Sequence, residues 1–159
     1  MAMDDRREII RAELESARAE MLALIDSLRP ADLDQPTHNG YSNVHATLAH
    51  LASAEAGRLL LTRVCRMITP LPLPTFFVDM FNALNVGARK RKSLDDFKRE
   101  LEQSRAVTLR YLDHLSDAAL ARVVRDPIYG RLPLDQILIL GHAGHARAHL
   151  AEIRQALGR

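Results

Sequence analysis

From Ile10 to Leu28 the apolar residues Ile10, Leu14, Ala17, Met21, Leu24 and Leu28 recur in alternating steps of four and three. That spacing puts every one of them in a single stripe of an α-helix and scatters them across both faces of a strand. A helix over Asp4 to Leu28 follows, ended by Arg29-Pro30, because proline restricts the residue before it and has no amide hydrogen to continue the ladder. A polar loop runs from Asp34 to Gly40. Ser42 is placed to cap a second helix from Asn43 to Arg66. Two rows on it read as buried: Val44, Leu48 and Leu51, and Ala46, His50, Ala54, Gly57 and Leu61, whose small members let another helix come close to His50.

The segment Thr69 to Thr75 carries three alternate prolines and cannot be regular helix, so it reads as a crossover connection. A shorter helix over Phe76 to Arg89 then runs into the basic stretch Arg89-Lys90-Arg91-Lys92, which reads as a solvated helix end suited to the dipole. Ser93 and the acidic pair Asp95 and Asp96 open a helix whose inward stripe is Leu94, Phe97, Leu101, Thr108, Tyr111 and Leu115. Ser116-Asp117 caps a short helix through Val124, and Asp126-Pro127 with Gly130 makes a turn. Pro133 fits the first turn of a last helix, Leu134 to Leu157.

Four long helices, one crossover and one tight turn predict an all-α, four-helix bundle with a long crossover connection, a single domain over residues 1–159. Composition agrees: Pro and Gly number seven each, Trp is absent, and hydrophobic residues make up 47%, enough for one core. The 22 basic and 20 acidic side chains leave a net charge of only +2, so the expected partner is a small-molecule substrate rather than nucleic acid or a membrane surface. A nucleic-acid reading would rest on Arg89 to Lys92 alone, without interleaved aromatics. Cys65 is the single cysteine, which rules out an intrachain disulfide and suits a reducing, cytoplasmic setting; it reads as a small buried hydrophobe. No stretch resembles a signal peptide or a membrane span.

The chemistry is in the histidines. Of seven, His142, His145 and His149 fall within eight residues of the last helix. Each helical residue turns the chain by about 100°, so His145 and His149 lie one turn apart on one side, with His142 close to that line. Two imidazoles so placed reach one ion, and His50 from a facing helix makes a third ligand, with positions left open for water or substrate. Zinc, nickel, iron(II), manganese and cobalt all accept such a set. Burying three neutral rings without ligands or hydrogen-bond partners is costly, since each still has a donor and an acceptor to satisfy. His38, His45 and His114 read as ordinary half-buried polar residues.

At these residues the chain resembles the DinB/YfiT-like family of four-helix bundle proteins over essentially its whole length. Asn39-Gly40-Tyr41-Ser42-Asn43-Val44, leading to His50-Leu51, is similar to the family's Trp-Ser-Val approach and His-Leu segment, with Tyr41 in place of tryptophan. Val78-Asp79-Met80-Phe81-Asn82 is similar to its Asp and Asn positions. His145 to Ile153 is similar to its His-x-x-x-His-Leu-x-Gln-Ile run, with Glu152 in place of glutamine. The resemblance implies His50, His145 and His149 as metal ligands, a homodimer, and, among members of known activity, thiol-dependent transferases and isomerases that use bacillithiol or mycothiol. It does not imply DNA contact.

Two functions follow as expectations. One is a metal-dependent enzyme, a thiol S-transferase or hydrolase, with a divalent metal and a low-molecular-weight thiol as cosubstrate. There Glu152 would orient a ligand or accept a proton, and His142, Asp79 and Asn82 would line the cavity. The other is a dimeric protein that captures a metal or small ligand without turnover.

Overall fold

Ser93 and Asp96 exchange hydrogen bonds, the Asp96 amide donating to Ser93 Oγ at 3.2 Å and the Ser93 amide to the Asp96 carboxylate at 2.8 Å, and this capping box starts one of the long helices where the sequence places it. The computed structural model describes residues 3–38, 40–67 and 75–159. In chain order it has α1 (Met3–Ser27), α2 (Val44–Met67), α3 (Thr75–Ala88), α4 (Leu94–Asp113) and α5 (Asp117–Ala121). A hairpin of β1 (Val123–Asp126) and β2 (Gly130–Pro133) follows. Last comes one continuous rod made of α6 (Leu134–Leu138), a π-helical segment (Ile139–Gly144) and α7 (His145–Ala156). The expected crossover lies, from Thr69 to Pro74, outside the described residues.

The helical bundle is as expected. The α1 stripe from Ile10 to Leu28 is buried throughout, and Phe97, Leu101, Thr108 and Leu115 of the α4 stripe are buried with it. Helix α2 lies against α4, α3 and α7, while α1 packs on α7 and on the π-helical segment. One apolar cluster gathers Leu24, Ile25, Leu48, Leu51, Phe97, Leu150 and Ile153; a second gathers Ile10, Leu14, Leu112, Leu120, Leu134 and Ile137. Among the described residues no helix is long and apolar enough to cross a membrane.

Five local readings change. The cap of α2 is Asn43 rather than Ser42: Asn43 Oδ1 accepts from the Ala46 amide at 2.9 Å, and Ser42 stands exposed. The short helix after Ser116 stops at Ala121, and Val123 and Val124 enter β1, where β-branched side chains are favoured, paired with Pro133 and Leu132. Asp126 closes this hairpin by accepting from the Ile128 and Tyr129 amides, and Gly130 takes the positive φ of 77° that the turn requires. Pro133 therefore ends β2 and precedes α6 instead of sitting in its first turn. The final helix is interrupted in phase, because the π-helical segment fits one wide turn between its halves. The basic run is only partly solvated, since Arg89 and Lys92 both pair with Glu100.

Candidate metal centre

His50 stands in the second turn of α2, 5% exposed, with buried Ala46 one turn before it. His145 and His149 occupy the first turns of α7, spaced by four residues and so aligned on one side. The seam between α2 and α7 brings the three together: one nitrogen of each ring lies within 4.8 Å of the others, and His50 Nε2 and His145 Nε2 are 3.0 Å apart. Two nitrogens bound to one tetrahedral zinc would be separated by about 3.3 Å, given Zn–N bonds of about 2.0–2.1 Å. The donor set thus fits a divalent cation in chemistry and in spacing.

The surroundings keep the His50 and His145 rings neutral, which a ligand must be. Burial lowers the pKa of His50 to about 3, helped by the neighbouring His145 and His149. Burial likewise brings His145 to about 4, with His149 and Arg58 adding to it. Tyr41 stacks on the His50 ring, centroids 4.6 Å apart, and meets His149 edge-on at 5.9 Å. Burial, then the charges of Asp79 and Glu152, push the Tyr41 phenol up to about 12. Glu152 lies beside His149, its carboxylate 2.7 Å from Nδ1. A carboxylate can only accept there, so Nδ1 carries the proton and Nε2 keeps its lone pair.

The other predicted residues are placed differently. Asp79 is exposed on α3 and reaches the site through its charge on Tyr41; Asn82 is half-buried on the same helix. His142 is 7% exposed and stands outside the group of three, because the π-helical segment shifts its phase relative to His145. It lines a cavity between the helices instead, together with His145, Glu55 and Arg105. His38 and His114 are exposed, while His45 Nε2 meets the Lys92 carbonyl at 3.0 Å. Cys65 is buried, and burial raises its thiol pKa.

Arg58 escaped the sequence reading. It lies two turns beyond His50 on α2, 8% exposed, and donates from Nη2 to Asp126 Oδ2 at 3.0 Å. Its guanidinium lies 5.2 Å from the centre of the Tyr129 ring and presses on the π-helical segment, where a Cβ on Gly141 would come within 2.5 Å of Nη2. The i, i+8 spacing from His50 was a signal for it; its partner, 68 positions away, had none.

Comparison with known proteins bears on the same residues. The model of the DinB superfamily matches residues 13–153. Among solved structures, an uncharacterised protein from Clostridium difficile 630 superposes with a TM-score of 0.75 at 13% identity, covering 96% of this chain and 95% of that one. An uncharacterised protein from Escherichia coli UTI89 superposes with a TM-score of 0.72 at 10% identity, covering 96% and 92%. At such identities the likeness is one of fold. No curated protein matches the chain.

Proposed function

We propose, from the premise that this chain belongs to the DinB superfamily, that it is a metal-dependent enzyme whose divalent cation is held by His50, His145 and His149. The observation that carries this reading is the convergence of three imidazole nitrogens within 4.8 Å, His50 buried and His145 and His149 half-buried. A divalent cation bound there supplies Lewis acidity and lowers the pKa of a water or thiol at an open position. The chain's own groups do the rest. Glu152 fixes the tautomer and direction of His149, and the Tyr41 ring covers one side of His50. The Tyr41 phenol stays protonated over the neutral pH range and so keeps a proton to donate beside the three rings. The reaction class we favour is transfer of a low-molecular-weight thiol to an electrophilic small molecule, with hydrolysis as the variant in which water takes the place of the thiol. Zinc, nickel, iron(II) and manganese all suit the donor set.

A second reading, capture of a metal or small ligand by a homodimer without turnover, is favoured by the apolar face that α3 leaves open, where Phe76, Phe77, Phe81 and Leu84 are exposed. Protein purified without an affinity tag or chelator, analysed for elements beside the doubly substituted His145→Ala/His149→Ala protein, tests the site. Near-stoichiometric metal absent from the variant supports it, and a wild-type protein that takes up none of the four metals refutes the enzyme reading and leaves only capture of a small ligand. Metal-dependent conjugation of thiols to reactive electrophiles then separates enzyme from binding protein, and light scattering measures the dimer.

A further inference from the structure

Helices α1, α2 and α4, the π-helical segment and the start of α7 line a partly open cavity of about 30 Å³ that lies against the inner side of the α2–α7 seam and has no role in the function proposed above. Most of its wall is apolar, from Leu14, Ala17, Met21, Leu51 and Ala146. Glu55, Arg105 and His142 also line it, and Arg105 and His142 are only 5% and 7% exposed. Among the described residues, four buried atoms of these three side chains have no hydrogen-bond partner: His142 Nδ1 and Nε2, Glu55 Oε1 and Arg105 Nε. The imidazole is neutral and so has one donor and one acceptor unspent. Arg105 stands between two carboxylates, with Nε 3.5 Å from Glu15 and Nη1 3.5 Å from Glu55. Those separations are long for direct hydrogen bonds, so neither carboxylate fully satisfies the guanidinium.

Size and charge select the occupant. A space of about 30 Å³ is too small for an organic ligand. It exceeds the roughly 10–15 Å³ that one water needs, so about two fit. An anion would need surplus positive charge, and none is present: Arg18 is paired with Glu102 and donates to the Leu101 carbonyl, while Arg105 is flanked by Glu15 and Glu55. Four orphaned polar atoms, by contrast, supply the two to four partners that buried water requires.

We propose that this cavity is a built hydration site in which about two ordered water molecules join His142 to Glu55 and Arg105. The waters tie the π-helical segment to the α2–α4 ion pair, and because His145 shares the cavity wall, they form the inner support of the three-histidine cluster. Polar side chains persist in this apolar seam because water completes them.

The test is a crystal structure of the full chain at a resolution that shows ordered water, paired with water-to-protein NOEs to the methyl groups of Leu14 and Ala143 in solution. Density within hydrogen-bond distance of a His142 ring nitrogen and of Glu55 or Arg105, with matching NOEs, is expected. An empty cavity, direct bonds among the three side chains, or a single ion in place of the waters overturns the proposal. In His142→Leu the water nearest the ring should be lost; unchanged density there also overturns it, and if that variant does not fold, the wild-type structure decides.

Discussion

Glu152 and His149 lie within one turn of each other on α7, and the Glu152 carboxylate reaches His149 Nδ1 at 2.7 Å. A carboxylate on the far nitrogen of a metal-binding imidazole sets the tautomer and raises ligand basicity, so its loss weakens metal affinity by about 10–100-fold. Glu152→Ala is therefore expected to bind zinc that much more weakly in a chelator-competition titration. Glu152→Gln should stay within a few-fold of wild type, because its amide oxygen still accepts from Nδ1–H. Equal affinities for all three proteins would mean that the contact does not orient the ligand.

The buried rings also set a pH dependence in the metal-free protein. His50 and His142 are lowered to about 3 and His145 to about 4, against an unfolded value of 6.5. Below 6.5 the unfolded chain takes up protons that the folded chain refuses, so stability falls as pH falls toward the folded values; above 6.5 both states are neutral and the effect vanishes. Each such histidine contributes up to about 1.4 kcal/mol per pH unit. Denaturant unfolding after chelation should show this loss between pH 6.5 and about 5, a window above most carboxylate titration. His142→Leu should make the slope shallower by about one histidine's share. A flat profile across that window would show that the rings accept protons in the folded state.

The long elements and the three histidines were legible because their signals are local. Ile10 to Leu28 writes its own period, Ser93 and Asp96 write their own cap, and the spacing from His145 to His149 is one helical turn wherever the chain goes. The hairpin was hidden because β1 and β2 have four residues each, too few for alternation to be read, and its signal was two adjacent valines and an Asx turn. Asn43 and Ser42 are chemically equal candidates for a cap; the choice is made from outside the helix, where Val44 donates to the Gln35 carbonyl and His45 to that of Leu33. The π-helical segment is the least local feature. Gly141 marks it only because Arg58, far away in the sequence, occupies the space where a Cβ would go.

Asp126 is the residue on which that last arrangement depends. Its Oδ2 accepts from Arg58 Nη2 at 3.0 Å, and its Oδ1 accepts from the Ile128 and Tyr129 amides at 2.8 and 2.9 Å. Asp126 is 2% exposed and Arg58 8%, so removing the carboxylate leaves a buried guanidinium without its counter-charge. Asp126→Ala should cost about 3–5 kcal/mol, the usual loss when one partner of a buried pair is deleted. At about 2–4 °C per kcal/mol for a chain of this size, Tm should fall by roughly 6–20 °C. Asp126→Asn, which keeps an acceptor for the turn, should cost less. Replacing both partners with apolar residues, Arg58→Met with Asp126→Leu, should recover most of the loss, because no charge is then buried. Since Arg58 presses on Gly141 beside His142 and His145, Asp126→Ala should also weaken zinc binding, whereas a purely peripheral hairpin contact would lower Tm and leave the affinity unchanged. Calorimetry and the same chelator competition, run on these four proteins, distinguish the two.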